Sequence, residues 1–410
     1  MKKKMSMLLI TMLTISTILA GCGNKEKTTI DANPAVKSTT PVTVSLGFWG
    51  TAQDLGIYQQ AVKDISAVHP NIKLEIKQYP SSEQFWNTLP GEIAAGVAPD
   101  LIKLTNEGAF EYIHKGLFEP LDELIKPAGV DLSLYNGVDI WKVDGKQYAL
   151  PISTMPAMFL INDDMWKKAG LGAYPKTWDE VQVAAKKLTT KDVHGIVINI
   201  DAFHITNYVK SYGGDWGYGK TINSPENVKA VQKILDMYKD GSAVTPKSIG
   251  YGWDGEVFAN NKAVMTTGGY WYKGYLKEAN PDLHYVALPV PEGTVHNSTM
   301  HSDGYVVLKD GKNKVEALQT ASFLTSEKVL TEFVKVGNNP SLKSLSSKFF
   351  EVNPEFDAVK PAIEYSTDFQ YPIETKKFID ELIKQLEGTI LGGSNKTAQE
   401  ILDKVQEQFK

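Results

Sequence analysis

VTVSLGF (residues 42–48), IKLEIKQ (residues 72–78) and LIKL (residues 101–104) are the stretches that decide the fold. In the first two, apolar and polar residues alternate with the period of a half-buried strand. Trp49 and Gly50 break the first run, and a helical stretch follows it as far as Pro70. A second helical stretch carries Phe85, Trp86, Leu89, Ile93 and Ala94 and leads to the third run. The order is strand, helix, strand, helix, strand. Connections of this length permit right-handed crossovers, so a mostly parallel sheet is the economical topology.

Similar signals continue along the chain. Asp144-Gly145 supplies a hairpin turn within Val143 to Lys146, and Ala157 to Ile161 and Gly195 to Ile200 read as strands. Thr177 with Glu180, and Thr397 with Glu400, have capping-box spacing, while Ser224 followed by Pro225 marks another helix start. After Thr397, residues Ala398, Ile401, Leu402, Val405 and Phe409 form one apolar helix face packed on the body. No internal repeat is present.

At the other end, residues 1–21 read as an export signal, with Lys2, Lys3 and Lys4 ahead of an apolar stretch from Leu8 to Leu19 too short for a comfortable span. Leu19-Ala20-Gly21-Cys22 resembles the lipobox of bacterial lipoproteins, which implies a diacylglycerol on the Cys22 thiol after the signal is removed. Residues 22–40 are polar, rich in Lys, Thr and Asn and without aromatics, and are expected to be a flexible tether. Cys22 is the only cysteine, which excludes an intrachain disulfide. No second apolar run has spanning length, and residues 41–410 suffice for two domains.

Composition narrows the ligand. The formal charge is −5 with no basic block, a poor match to nucleic acid. All 43 cationic residues are lysine, so the arginine fork that usually grips buried carboxylate or phosphate is lacking, and the ligand is expected to be neutral. Enzyme signatures are sparse: the sequence has no Gly-x-Ser-x-Gly elbow and no His-Glu-x-x-His. His296 and His301 read as part of a solvated polar loop, and Gly392 to Thr397 as a helix cap rather than a phosphate loop. No catalytic residue, metal or cofactor is expected, although two facing carboxylates of a glycoside hydrolase would escape detection at this level.

Taken in order, Ala94 to Leu101, Leu117 to Leu124, Asp144 to Pro151, Lys168 to Leu171, Pro175 to Glu180, Phe258 to Met265 with Gly269 and Trp271, and Leu288 to Gly293 resemble extracellular solute-binding proteins of family 1, the class of maltose- and maltodextrin-binding proteins. The resemblance covers essentially the mature chain. It implies an α/β, two-lobed, periplasmic-binding-protein-like fold with a ligand cleft between lobes joined by a multi-strand hinge. One lobe would hold residues 41–152 and 293–337, the other 153–292 and 338–410. The usual Leu-Pro of the third hinge is replaced by Asn338-Asn339-Pro340, which places that crossing less securely. The implied function is capture of a sugar or oligosaccharide by cleft closure and delivery to the permease subunits of an ABC importer. The protein would be a monomer, lipid-anchored outside the cytoplasm through Cys22. A non-sugar solute, a polyamine or a metal complex, is the competing ligand in the same fold.

Sugar recognition needs a flat apolar surface for the C–H face of a pyranose and polar groups for its hydroxyls. The resemblance puts a stacking aromatic at Trp271, with Tyr270 beside it; a core tryptophan is the competing reading. Ligands lie at the carboxyl ends of strands in such sheets, which nominates Trp49 after the first strand and Asn106 and Glu107 after the third. A helix N-cap is the alternative for the latter pair. Asp201, His204 and Trp216 follow the Gly195 to Ile200 strand, and Asp303 precedes Gly304. Trp86, Trp141, Trp166, Trp178 and Trp253 are assigned to packing.

Overall fold

In the computed structural model, which describes residues 40–409, β1 (Val42–Phe48) lies between β2 (Ile72–Gln78) and β3 (Leu101–Thr105) and runs parallel to both. The export signal, Cys22 and the tether up to residue 39 lie outside the described residues. Strands β4 (Lys142–Val143) and β5 (Lys146–Gln147) close on Asp144 and Gly145, whose φ values of 49° and 77° are the pair of left-handed conformations a type I′ turn demands. Seven further strands follow: β6 (Ala149–Pro156), β7 (Met158–Asn162), β8 (His194–Val197), β9 (Ala243–Val244), β10 (Ala263–Gly268), β11 (Tyr285–Pro289) and β12 (Met300–Val307).

These strands build two five-stranded sheets, one ordered β2-β1-β3-β12-β6 and the other β11-β7-β10-β8-β9. The expectation of a mostly parallel sheet is corrected here. β12 runs antiparallel to β3 and β6, and β7 antiparallel to β10 and β11. The physical reason is the route of the chain: β12 arrives from the other lobe, so no crossover helix dictates its direction. β8 also stops at Val197, earlier than its apolar run suggests.

Each sheet carries its own core. In the first lobe the Ala52–Val68 and Lys314–Leu324 helices cover Val44, Leu46, Leu150, Tyr305 and Val307. In the second, Trp178 stacks on Tyr208 at 3.8 Å between ring centroids, among Phe159, Ile196 and Leu402. Helix starts follow the sequence signals, with complete capping boxes at Thr177 and Thr397 and a further one at Thr51 with Asp54. Among the described residues no helix is long and apolar enough to cross a membrane.

Three segments connect the lobes. β6 continues into β7 through Ala157, the chain returns between Pro289 and Met300, and it crosses again between the Glu327–Lys335 and Ser346–Val352 helices. A bulge lies where they meet. Ser153 faces Asp303 and Pro151 faces Gly304, leaving Ile152 as the extra residue of β6. The Ser341 N–H donates to the Ile152 carbonyl at 2.8 Å, and the Thr154 N–H donates to the Asn339 carbonyl at 3.2 Å. The third crossing is thus pinned onto the bulge of the first.

Candidate functional site

The carboxyl ends of β1 and β3 deliver the first-lobe wall. Trp49, directly after β1, is half-buried against Phe85 and Trp86, with ring centroids 4.6 and 5.9 Å away. Trp86 fills the space where Gly108, in the Asn106–His114 helix, lacks a side chain. Asn106 is neither an N-cap nor a free polar group. Its Nδ2 donates to the Met300 carbonyl at 3.0 Å and its Oδ1 accepts from the Ser302 N–H at 2.9 Å, fixing the start of β12. Glu107 is half-buried and faces the second lobe, where the Tyr371 hydroxyl donates to it at 3.4 Å. Burial, aided by the nearby Asp201 carboxylate, pushes its pKa up to about 7, while His301 and His204 pull the other way.

β12 contributes His301 and Asp303. Asp303 is 1 % exposed and is held by Lys103 at 3.4 Å, by the Ser153 hydroxyl at 3.2 Å and by the Tyr270 hydroxyl. Burial alone would raise its pKa, but Lys103 and His301 outweigh it and keep Asp303 below the usual carboxylate range. Tyr270 and Ser153 come from the two sides of the hinge, so this cluster latches the lobes together. His301 is not in a solvated loop, as the sequence suggested: it lies on β12 and is 8 % exposed. Its ring stands 5.1 Å from that of Trp271, and its Nδ1 is buried without a hydrogen-bond partner. Such an atom costs on the order of 1–3 kcal/mol unless something pairs with it.

The second-lobe wall begins at Asp201, the N-cap of the Ala202–Ser211 helix. One carboxylate oxygen accepts from the His204 N–H at 2.8 Å and meets its Nδ1 at 2.7 Å; the other accepts from Asn199 at 2.9 Å. His204 Nε2 lies 3.3 Å from Asp254 and 3.2 Å from the Thr267 carbonyl, and Asp254 also accepts from the Tyr272 hydroxyl. Burial opposes charge on His204, but Asp201 and Asp254 overcome it and raise its pKa well above the ordinary value. Asp201, His204 and Asp254 could together hold a cation by position, yet the imidazolium already fills that role. Glu107 and Asp201 are close enough to interact electrostatically, but both Asp201 oxygens are committed to local donors, which argues against a glycosidase pair.

Trp271 opens the Trp271–Ala279 helix just after β10 and is half-buried. It packs edge-on against Phe203 at 5.3 Å and against Tyr270 at 5.7 Å. Gly269 makes room for it: a Cβ there would lie 2.1 Å from the indole. Trp216 is a correction. It is fully buried, its Nε1 donates to Thr206 at 2.9 Å and its ring meets Phe378 at 5.0 Å, so it stands in the core behind the cleft. Thr206 in turn meets the Tyr371 hydroxyl at 3.1 Å, so Trp216 supports the wall without lining it. Tyr371, Asp254, Lys103 and Ser153 escaped sequence reasoning because their partners come from distant segments; Lys103 lies in the β3 run itself, where the strand period is legible but the pairing with Asp303 is not.

Two α/β lobes joined by three crossings, with polar and aromatic groups facing across the gap, define a hinged solute-binding protein. The chain belongs to the bacterial extracellular solute-binding protein family, which residues 49–330 match. Among its relatives, the arabinooligosaccharide-binding protein of Bacillus subtilis is 26% identical over 79% of this chain and 76% of its own. The multiple sugar-binding protein of Streptococcus mutans is 22% identical over 82% of both. An ABC substrate-binding protein of Listeria monocytogenes, solved in complex with cycloalternan, superposes with a TM-score of 0.81 at 22% identity over 90% of this chain and 98% of its own.

Proposed function

We propose that this chain captures a neutral sugar between its lobes and hands it to the permease of an ABC importer while anchored outside the cytoplasm by a lipid on Cys22. The observation that carries the sugar reading is the half-buried Trp271 face set 5.1 Å from a buried histidine whose Nδ1 has no partner. A pyranose stacked on the indole would present hydroxyls to that nitrogen. The relatives named for sugars point the same way. A cationic solute is disfavoured because the carboxylates are already countered: Asp303 by Lys103, and Asp201 and Asp254 by His204. Glu107 remains, and its raised pKa favours the neutral acid, which can both donate and accept.

The test is a thermal-shift panel of mono- and oligosaccharides, polyamines and peptides, followed by calorimetry at low and moderate salt. A sugar should raise the melting temperature, because it binds only the folded state, and its affinity should change little with salt. Stabilisation by a polyamine alone, or an affinity that falls tenfold across that salt range, would overturn the reading.

A further inference from the structure

Two successive residues of the first lobe, Phe110 and Glu111 in the Asn106–His114 helix, touch the second lobe at neighbouring points. The Glu111 carboxylate accepts from the Lys376 N–H at 2.8 Å. Lys376 stands in the first turn of the Thr375–Ile390 helix, where backbone N–H groups have no partner within the helix. That helix has Glu374 at its N-cap, and Glu374 makes no side-chain cap bond. A carboxylate of one lobe thus supplies the missing cap of a helix in the other, at the end where the helix dipole favours negative charge. The Glu111 side chain is only 12% exposed, and its other oxygen pairs with Lys115 of its own helix, which holds the carboxylate in place.

Phe110 meets Tyr218 of the second lobe, with ring centroids 5.3 Å apart and planes 33° off parallel, a separation at which aromatic pairs attract. His114 backs the Phe110 ring from its own lobe at 4.1 Å. Tyr218 is held in this position against its backbone preference. Its φ is 54°, and its N–H donates at 2.9 Å to the carbonyl of Gln370, whose φ is 51°. Core packing does not account for this at Tyr218, which is 47% exposed. Strain of this kind persists where the surroundings impose it, commonly at clamps and switches. Gln370 lies shortly before the capped helix, and the Thr375 hydroxyl donates to the Pro372 carbonyl at 2.8 Å, so ring and helix start are tied into one unit of the second lobe.

None of these residues belongs to the three segments that cross between the lobes, so a hinge rotation that opens the cleft must part both contacts. We infer that Phe110 and Glu111, with Tyr218 and the start of the Thr375–Ile390 helix, form a two-point rim latch: positioning residues that hold the lobes shut and give the closed form a standing share of the population before any solute arrives. The latch acts through the ratio of closed to open forms, because contacts made only in the closed form favour it by their own free energy. It rests on the hinged fold and stands whether or not the solute is a sugar.

The experiment is single-molecule fluorescence energy transfer on the mature chain without added solute. Cys22 is the only cysteine, so Cys22→Ser with Asn87→Cys in the first lobe and Lys239→Cys in the second confines the dyes to two exposed positions. This labelled parent should show a closed population of about 1% or more. Tyr218→Gly removes the ring and relieves the backbone, and Glu111→Ala removes the cap. Each should lower the closed-to-open ratio by about threefold or more while the urea unfolding midpoint stays that of the parent. Phe110→Ala should repeat the Tyr218→Gly result from the other lobe. No closed population in the parent, or an unchanged ratio in either Tyr218→Gly or Glu111→Ala, overturns the latch; a lowered unfolding midpoint with an unchanged ratio overturns it as well, by assigning the residue to packing.

Discussion

Trp271 separates two kinds of energy. If its indole stacks on a sugar, Trp271→Ala removes an anchor and weakens binding by about 2 kcal/mol or more, with the fold nearly intact. A packing role would instead cost about 3 to 5 kcal/mol of stability. Its half-burial and its space beside Gly269 favour the first outcome. Urea unfolding without ligand, paired with titration of the folded variant, distinguishes them. Glu107 gives a second prediction at this scale. Burial beside Asp201 raises its pKa from an ordinary 4.5 to about 7, so a closing motion that supplies this burial takes up a proton between those values. The benefit is complete below about pH 4.5 and is lost as pH rises through 7, so sugar affinity should fall across that window, by up to about tenfold per unit. Glu107→Gln should flatten the profile; a profile unchanged in the variant would assign the titration elsewhere.

At the scale of elements, the turn from β10 into its helix is where backbone and the proposed ligand wall are the same object. Gly269→Ala would place a methyl 2.1 Å from the indole, so the Trp271 ring must swing away. The expected result is a loss of sugar affinity comparable to Trp271→Ala with little change in unfolding midpoint; unaltered affinity would show that the ring pose is not required. Elements also mark the limit of what sequence conveys. Strands β1, β2 and β3 are legible from alternation, and the ends of those strands point to Trp49, Asn106 and Glu107 through topology alone. The antiparallel partners are not, because β12 reaches β3 from about 200 residues away and a local period says nothing about who pairs with whom. His301 was misread for the same reason: a polar run with histidines looks like a loop until a sheet accepts it. Trp216 shows the converse error, since following a strand does not make a side chain face the cleft.

For the whole molecule, the proposed attachment at Cys22 and the proposed capture between the lobes fall in different segments, which makes them separable. Cys22→Ala should leave the protein unanchored while its sugar affinity stays that of the parent; persistent membrane association of that variant after high-salt washing would contradict lipidation at Cys22 as the anchor. The segments that join the lobes are not separable in this way. Ser153, His301 and Asp303 stand on the paired strands β6 and β12, where one crossing leaves the first lobe and the next re-enters it.

That the third crossing is tied to the bulge of the first, through Ser341 and Asn339, has a mechanical corollary. Two bodies linked by separate flexible threads can slide, twist and rock independently. Bodies pinned at a single knot retain chiefly one rotation, so the search between open and closed forms is nearly one-dimensional. Little orientational freedom is then left for a bound solute to remove. A change at the knot, such as Ser341→Ala, which keeps the backbone bond to Ile152 but removes the hydroxyl that donates to the Pro151 carbonyl at 2.5 Å, should therefore act like a change in spring constant: it should scale the affinity for every solute by the same factor and leave the ranking among them untouched.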